Sequence, residues 1–253
     1  MARFVTILLG VGLLGEITWR LFAPHESLAR DLILYNSIWL LAIFLLLLAP
    51  LSFDRIALSA IALAIFFWGI GSLATSVDQL SSVGARFTLL SQLCYCIFYP
   101  LFLVAIPRIS STSSHLRSLE LLDAAIFGLG FTSVVATILV TVIFPSDSLV
   151  AGDDFFQIFY PVGDIALLLV AITQVVMRGA NRQRILLLIG VSIFAVTDIY
   201  YLWLALGHRY IFASIADDGW LLALFFFAYL TSVQSSKSEK VQPIHPALIA
   251  VSV

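Results

Sequence analysis

Long apolar runs recur along the whole chain and limit the folds open to it. Each run is about 20 residues long, which is enough for an α-helix to cross the hydrocarbon core of a bilayer. Hydrophobic residues make up 61% of the chain and charged residues only 11%, with a mean hydropathy of +1.07, whereas soluble domains carry roughly a quarter charged residues. The sequence therefore predicts an all-α, polytopic membrane helix bundle of about eight transmembrane helices: Phe4–Leu21, Leu32–Leu51, Ile56–Ser76, Phe87–Ile106, Leu121–Phe144, Phe155–Met177, Arg184–Leu206 and Asp218–Val233.

The connections between these runs are too short to fold as separate domains. We expect one integral-membrane helical bundle over residues 1–233, followed by a polar cytoplasmic linker or tail over residues 234–253. Lys and Arg residues are enriched on the cytoplasmic side of membrane proteins. With both termini inside, the inner segments carry nine of the 13 Lys and Arg residues and the outer segments carry four. The charge distribution therefore predicts an N-in, C-in orientation.

Three acidic residues lie well inside the predicted helices: Glu16, Asp164 and Asp198. An aspartate at the centre of a membrane helix costs about 2.5–3.5 kcal/mol on insertion scales, so each acid needs a partner or a function. Asp164 lies roughly 14 Å below the predicted outer end of its helix, and Asp198 roughly 12 Å below the same surface. Because a short loop joins these two helices, we predict that they pack together and that their carboxylates face one space. Glu16 is shallower and has Arg20 one helical turn above it, which is a favourable pair.

Pro161 lies one turn above Asp164 and adds a free hydrogen-bond acceptor. Proline has no N–H and displaces the carbonyl four residues earlier, here that of Gln157, so it also bends the helix. Together with nearby aromatic residues, these groups predict a polar, aromatic-lined pocket in the outer half of the bundle, open toward the outside. The candidate ligand-binding or switch residues are Asp164, Asp198, Tyr160, Pro161, Gln157, Tyr201, Trp220 and Glu16.

The intramembrane acids are also consistent with roles that involve no ligand. They could hydrogen-bond tyrosine, threonine or backbone groups and lock helix packing, or they could relay protons. A transporter is consistent with them too, because transporters are built from repeats and the motif IFYP occurs at Ile97–Pro100 and again at Ile158–Pro161. Intramembrane proteolysis by two aspartates is disfavoured, because neither lies in a YD or GxGD motif.

Several kinds of cofactor chemistry are excluded by where the reactive residues lie. A retinal Schiff base needs a lysine within the bundle, but the only lysines are Lys237 and Lys240 in the tail. Haem ligation inside a membrane needs histidines on facing helices, whereas all four histidines fall in predicted loops or in the tail. No zinc-protease, phosphate-loop or serine-hydrolase motif is present. We therefore predict no cofactor, no metal site and no enzymatic activity in the bundle itself.

Four segments in order give the chain a family resemblance: YPVGDIALLL, RILLLIGVSIFAVTDIYYLW, DDGWLLALFFFAYL and IHPALIAVSV. With them the chain resembles the eight-helix membrane input domain found at the N-terminus of bacterial signalling proteins, ahead of PAS, GGDEF and EAL modules. The likeness is strongest over residues 121–253 and weaker across the first four helices. By position, the matching residues are Asp123, Tyr160, Pro161, Asp164, Asp198, Tyr201, Gly219 and Trp220, with His245 and Pro246 as a connector.

One departure from the family pattern falls in the third predicted helix. The family tends to place an acid shortly after a Trp-x-x-Gly motif, where this chain reads WGIGSLATS and has Ser72 instead. The resemblance therefore does not extend to a second acidic site in the N-terminal half.

The resemblance implies a sensory input domain in the inner membrane of a bacterium. It would detect an extracytoplasmic or membrane signal and relay it through helix repacking to a signalling output, namely cyclic-di-GMP turnover in the same or a partner protein. The implied partners are the lipid bilayer, a second copy in a homodimer and a cytoplasmic signalling domain downstream of Val253, with no nucleic acid. Because no catalytic module precedes Val253, we expect either an excised input domain or a protein that works through a separate partner. A small-solute or proton-coupled transporter and a structural membrane subunit are the alternatives.

Overall fold

The computed structural model describes residues 1–23, 27–50, 54–80, 86–109, 153–207 and 209–232. Within these ranges all regular structure is helical, and seven helices are long and apolar enough to cross a membrane. In chain order they are α1 (Ala2–Phe22), α2 (Leu28–Leu47), α3 (Arg55–Leu80), α4 (Thr88–Ile109), α5 (Asp153–Arg178), α6 (Arg182–Leu206) and α7 (Ile215–Tyr229), which ends in a short 3₁₀ turn, Leu230–Ser232. The helix predicted at Leu121–Phe144 and the predicted tail lie outside the described residues.

Consecutive helices pack as neighbours, and α7 returns to contact α1 and α2 as well as α6. One end of the bundle holds Arg20, Tyr35 and Asp217 around a cavity, and we call it the cavity end. At the other end lie the start of α1, the end of α4 and the hairpin between α5 and α6, and we call it the packed end. Among the described helices, the ends predicted to face outside gather at the cavity end, because α1, α3 and α6 end there and α2, α4, α5 and α7 begin there.

Helices α4 and α5 run parallel, unlike the other neighbours in sequence. Tyr95 of α4 contacts Tyr160 of α5, and one turn further on Tyr99 lies against Gly163. The order of contacts is the same along both helices, so the end of α4 and the start of α5 lie at opposite ends of the bundle. Parallel helices need a connection that runs the length of the bundle, and the predicted crossing between them stays a prediction.

The polarity of α1 is reversed relative to a helix on a soluble protein. Its large apolar side chains point outward, with Phe4 69% and Leu14 65% exposed, while Glu16 is fully buried and Arg20 is 4% exposed. Soluble proteins bury apolar side chains and keep charges in water. A helix that buries charges and exposes apolar side chains fits a hydrocarbon surrounding, in which ionisable residues face the bundle interior.

Two helices begin three or four residues earlier than the sequence predicts. Helix α2 starts at Leu28 instead of Leu32, with a π-helical segment over Leu28–Leu34, and α7 starts at Ile215 instead of Asp218. As a result Asp31 and Asp217, which the sequence places in loops, are buried in the first turns of these helices. The physical reason is that Arg20, on a distant part of the chain, supplies a charge partner for both carboxylates.

The interior below the cavity is a stack of phenylalanine rings. Phe98 stacks on Phe194 with ring centroids 4.7 Å apart and on Phe102 at 4.9 Å, and Phe102 packs on Phe227 at 4.5 Å. Phe98, Phe102 and Phe227 are fully buried. Rings from α4, α6 and α7 therefore interlock beneath the cavity and hold these three helices together.

At the packed end, the hairpin between α5 and α6 is fixed by one side chain. Arg184 donates from Nη1 to the carbonyl oxygens of Arg178 and Gly179, and its backbone N–H donates to the Asn181 side chain, which caps α6. Gly179 has a φ of 80°, which a residue with a side chain rarely adopts. The hairpin holds α5 and α6 antiparallel and so sets the depth at which Asp164 and Asp198 lie.

Candidate functional site

A cavity of about 860 Å³ lies within the cavity end, and every one of the seven described helices contributes to its wall. Its size is within the range of small-molecule sites in proteins. The wall combines aromatic rings, hydroxyl groups and carboxylates. It is a place where an organic molecule could be enclosed by several helices at once.

Tyrosine and tryptophan rings follow one another around this wall, and we call them the ring series. Neighbouring centroids are between 4.7 and 6.5 Å apart, which is within the range of direct aromatic contact. The members, in order of contact, are Tyr210, Tyr201, Trp220, Trp68, Tyr95, Tyr160 and Tyr99. They come from α3, α4, α5, α6, α7 and the loop before α7, so the series links five helices.

At its deep end the ring series meets the two intramembrane aspartates. The Tyr99 hydroxyl lies 3.1 Å from Oδ1 of Asp164 and 3.0 Å from Oδ2 of Asp198. Trp220 donates from its indole N–H to the other oxygen of Asp198. One tyrosine therefore joins a carboxyl group of α5 to a carboxyl group of α6, at the depth at which the sequence places both.

The number of hydrogen atoms available to Tyr99, Asp164 and Asp198 limits how these side chains can hydrogen-bond to one another. A tyrosine hydroxyl has one hydrogen, so Tyr99 can donate to only one of the two carboxyl groups at a time. A second hydrogen bond at the same oxygen needs a proton supplied by the other carboxyl group. The contacts among Tyr99, Asp164 and Asp198 thus have two alternative arrangements that differ in where one proton lies.

Two glycines make this arrangement possible by letting side chains approach the backbone. A Cβ atom at Gly163 would overlap Cδ1 of Tyr99, and one at Gly219 would overlap Oγ1 of Thr197. Small residues allow close helix contact in membrane proteins. Gly163 therefore seats Tyr99 against α5, and Gly219 seats α6 against α7 beside Asp198.

The other end of the ring series meets a cluster of buried charges, which we call the ion cluster. Arg20 lies at its centre, 2.6 Å from Oε1 of Glu16 and 3.1 Å from Oδ1 of Asp218. Its contacts to Asp31 and Asp217 are longer, at 3.8 and 3.9 Å. Asp31 is also paired with Arg30 at 2.7 Å. The ion cluster consists of Glu16, Arg20, Arg30, Asp31, Asp217 and Asp218, so acids exceed bases within it.

Tyr210 connects the ring series to the ion cluster. Its hydroxyl donates to Oδ1 of Asp217 at 2.9 Å, and Oδ2 of Asp217 accepts from the backbone N–H of Ser214 at 3.0 Å. Burial first, and the nearby Asp217 carboxylate second, raise the pKa of Tyr210 above that of an ordinary tyrosine. The Tyr35 hydroxyl donates to the backbone carbonyl of Asp217 at 3.2 Å. Asp217 is therefore held from three sides.

The structure brings together most, though not all, of the residues singled out in the sequence. Five of them line the cavity: Asp198, Tyr160, Pro161, Tyr201 and Trp220. Asp164 is 1% exposed and lies behind Tyr99, and Glu16 lies in the ion cluster, so neither reaches the cavity wall. Gln157 belongs to α5, which continues through Pro161, but its side chain is outside the described part of the structure. Of the positions matched by resemblance, Asp123, His245 and Pro246 also lie outside the described residues.

Apart from Glu16, sequence reasoning missed the contribution of the N-terminal half to the site. Trp68, Ser72 and Tyr95 line the cavity, and Tyr99 holds the two aspartates together. The repeated IFYP motif carried a usable signal, because its two tyrosines, Tyr99 and Tyr160, stack at 6.3 Å with ring planes 19° apart.

The site offers carboxyl groups, hydroxyl groups and aromatic faces. Among the described residues no group of three His, Cys, Asp or Glu side chains is placed to hold a metal ion. The chemistry on the wall is therefore hydrogen bonding, charge pairing and contact with aromatic faces. Comparisons with protein-family models, with curated proteins and with solved structures give no match to this chain.

Proposed function

We propose that this protein is a multi-pass membrane sensor that binds a small molecule in the cavity and relays its presence through helix repacking. The observation that carries the proposal is the position of Tyr99, whose hydroxyl lies between Asp164 and Asp198 beneath a cavity bordered by Asp198. A molecule in that cavity can contact Asp198, and Asp198 is hydrogen-bonded to α4 through Tyr99 and to α7 through Trp220. A change at Asp198 therefore alters contacts among three helices, α4, α6 and α7.

The relay works through the two arrangements of the shared proton. A ligand beside Asp198 stabilises one charge state of that carboxyl group. It therefore favours one of the two positions of the shared proton, and the proton that leaves one carboxyl group is taken up by the other while the Tyr99 hydroxyl donates to the deprotonated one. Because the ring of Tyr99 is seated on Gly163, a displacement of this side chain moves α4 relative to α5. A ligand shifts such an equilibrium only if it binds one packing more tightly than the other. Contact with only one of the two carboxyl groups provides that difference.

The orientation belongs to the same proposal. We place the protein in the inner membrane of a bacterium with eight helices and both termini in the cytoplasm. The excess of Arg and Lys on the predicted inner segments supports this orientation. In it the cavity end faces the periplasm, so a solute outside the cytoplasm could reach the cavity.

The output is proposed from the resemblance to bacterial input domains. Helix movement would regulate cyclic-di-GMP turnover by a signalling domain downstream of Val253 or in a partner protein. Cyclases of this kind act as dimers, so a homodimer of the bundle is part of the proposal. The bundle itself is proposed to be non-enzymatic.

A fusion of the full chain to a diguanylate cyclase tests the relay with a single-atom change. Tyr99→Phe removes the hydroxyl that joins the two aspartates and retains the ring on Gly163. We expect the cyclic-di-GMP level to change by about fivefold or more at equal protein level, since losing a buried hydrogen bond to a charged group shifts an equilibrium by roughly 1.5 kcal/mol. Tyr200→Phe is the matched control, because Tyr200 lies on α6 near Asp198 but is exposed on the outer surface. If both variants give the wild-type level, the proposed relay is wrong.

A proton-coupled transporter is the second candidate, and one observation favours it. Oδ2 of Asp164 is buried and accepts no hydrogen bond from an N–H or hydroxyl group among the described residues. Its carboxyl group lies within hydrogen-bonding reach of Asp198, and paired intramembrane carboxyl groups are typical of proton relays in transporters. Proteoliposomes loaded with a pH-sensitive dye separate the two functions. Solute-dependent proton flux that disappears in Asp164→Asn would replace the sensor with a transporter, whereas the sensor predicts no flux in either protein.

A further inference from the structure

We infer that the cavity ligand is an organic cation, an amine or quaternary ammonium with an apolar body. This inference rests on the proposed ligand-binding function and names the chemical class that the same cavity selects. Two independent features of the wall carry it: an excess of carboxyl groups and the ring series.

Negatively charged residues outnumber positively charged residues on the cavity wall. Four aspartates border the cavity, namely Asp31, Asp78, Asp198 and Asp217, while Arg20 is the only positively charged residue among the described residues that border it. Arg20 does not provide an anion site, because it already lies 2.6 Å from Glu16 and 3.1 Å from Asp218. Glu16, Asp164 and Asp218 stand behind the wall, and Arg30 is paired with the wall residue Asp31 at 2.7 Å, so acids still exceed bases around the cavity. The field inside the cavity is therefore negative and attracts a cation.

The deep acidic layer behind the wall is not fully satisfied by protein groups. Glu16 is fully buried and Asp218 is 4% exposed. Oε2 of Glu16 and Oδ2 of Asp218 have no hydrogen-bond partner among the described residues. A buried carboxylate oxygen without a partner is costly. A positive charge in the adjacent cavity reduces that cost, so the cation stabilises the folded protein as it binds.

The ring series offers aromatic faces to which a cation can bind. All members of the ring series are tyrosine or tryptophan, whose π-faces attract a cation within about 6 Å of the ring centre. The planes of Tyr201 and Tyr210 are 80° apart, those of Tyr201 and Trp220 are 59° apart, and those of Trp220 and Trp68 are 53° apart. Neighbouring rings at such angles form corners. A corner of aromatic rings encloses a rounded cation group on more than one side, as aromatic cages do.

The remainder of the wall suits an apolar body. Phe98, Phe156, Phe194 and Phe212 also line the cavity, and a phenylalanine has no polar atom to offer. A small inorganic cation would gain nothing from these rings and would have to give up its water, and no metal-binding group lies among the described residues. An anion would be repelled by the four aspartates of the cavity wall. The wall therefore favours a cation with hydrocarbon attached over either.

Three probes of nearly the same shape and different charge test the inference. We would titrate the full chain in lipid nanodiscs with benzyltrimethylammonium, with its neutral isostere neopentylbenzene and with the anion benzylsulfonate. Binding is followed by quenching of tryptophan fluorescence, since Trp68 and Trp220 border the cavity, and empty nanodiscs correct for partition into lipid. We expect the cation to bind at least about tenfold more tightly than the neutral probe and the anion to bind most weakly.

Two further measurements assign the effect to the ring series. Tyr201→Leu removes one aromatic face and should weaken cation binding by about fivefold, whereas Tyr201→Phe retains the face and should weaken it less. Tyr200→Leu, on the exposed surface of α6, is the control for a lost tyrosine outside the cavity. Incorporating fluorinated tryptophan into the unmutated chain should weaken binding of the cation in steps as the number of fluorine atoms rises. This test does not depend on the folding of any variant.

Equal binding of the neutral and cationic probes would overturn the inference and make the cavity a purely apolar site. Tightest binding by the anion would overturn it in favour of recognition by Arg20. Absence of binding by all three probes at millimolar concentration would also overturn it. None of these results decides the proposed sensor function, because the Tyr99→Phe reporter experiment measures that function without any probe.

Discussion

The two ends of the bundle differ in the side chains that fill their interior. In the middle of the bundle phenylalanine rings fill the interior, with Phe102 and Phe227 fully buried against each other, and at the packed end the buried Arg184 donates to backbone carbonyl groups of its own hairpin. At the cavity end the interior contains the ion cluster, the ring series and open space. The packed end gains stability from van der Waals contact, which drives helix association when lipid is the alternative surrounding. The cavity end gives up some of that stability, because buried ions lose their hydration.

The contrast in interior side chains indicates which end of the bundle to test for function. A chain selected only for stability would continue the phenylalanine stack to the other end, since replacing buried ion pairs by well-packed apolar residues is often stabilising. Polar residues inside a membrane bundle mark functional sites by default. We therefore expect the cavity end to be the functional half and the packed end to support it. Substitutions at each end can test this division.

Removing the central charge of the ion cluster should have the largest effect. Arg20→Gln leaves the neighbouring acids without their shared partner, and breaking a buried ion pair costs about 3–5 kcal/mol. The control is Arg108→Gln, which breaks an ion pair with Asp54 that is 2.8 Å long but about 23% exposed and should cost no more than about 1 kcal/mol. The free energy of unfolding in mixed micelles measures both. Equal losses would contradict the contrast between the ends.

Truncating the phenylalanine stack should come next. Phe227→Ala leaves a cavity among Phe102, Phe194 and the backbone at Gly190, and we expect a loss on the order of 3 kcal/mol in the free energy of unfolding. Tyr201→Leu is the counterpart at the cavity end, where the ring already borders open space, so the loss should stay below about 1 kcal/mol. A larger loss for Tyr201→Leu would show that the ring series is itself a packed core.

A smaller but more specific effect is expected at Gly163. Gly163→Ala places a methyl group where the Tyr99 ring lies, and such overpacking costs about 1–3 kcal/mol. Gly15→Ala is the matched control, because no atom lies within 4 Å of its added Cβ, and alanine is the better helix former. Thermal unfolding should therefore be lowered by the first change and unchanged or raised by the second. The first variant should also alter cyclase output, since it moves Tyr99.

The smallest effect concerns Tyr210 and appears only at high pH. Its pKa is raised in the folded protein by burial and by Asp217, whereas in the unfolded chain it titrates near pH 10. A group whose folded pKa is raised contributes stability that is complete below the unfolded pKa and is lost as the pH rises above it. Stability should therefore fall above about pH 10, and Tyr210→Phe should fall less steeply. Unfolding midpoints between pH 8 and pH 11.5 provide the comparison, and identical slopes would contradict this role of Tyr210.

The sequence predicted the fold where a single property decides it. Hydropathy alone places the seven described helices to within a few residues, because a membrane helix must be apolar over its whole length. It also places Asp164 and Asp198 together, because depth along two adjoining helices is a matter of counting residues. The prediction failed at the starts of α2 and α7, where Asp31 and Asp217 look like loop residues. Their burial depends on Arg20 from α1, and no local pattern reveals a partner so distant in sequence.

The ring series could not be predicted from the sequence for the same reason, because its contacts join residues that are distant in sequence. A tyrosine inside an apolar run, such as Tyr95 or Tyr99, has no sequence signal that separates a cavity wall from an ordinary core. Which ring meets which depends on the rotation of five helices about their axes, and small residues such as Gly163 and Gly219 set that rotation through contacts between helices. The pairing of Tyr99 with Tyr160 is the exception, since the repeated IFYP motif marks both.

The pair formed by Glu16 and Arg20 has a consequence for how the chain is made. Asp218, the other close partner of Arg20, follows it by about 200 residues, which is roughly 10–40 s of synthesis on a ribosome. During that delay α1 has been synthesised while α7 does not yet exist. Glu16 lies one turn away on the same helix, so it can neutralise Arg20 until the last helix arrives. The pair thus gives Arg20 a charge partner on its own helix before the rest of the ion cluster has been synthesised.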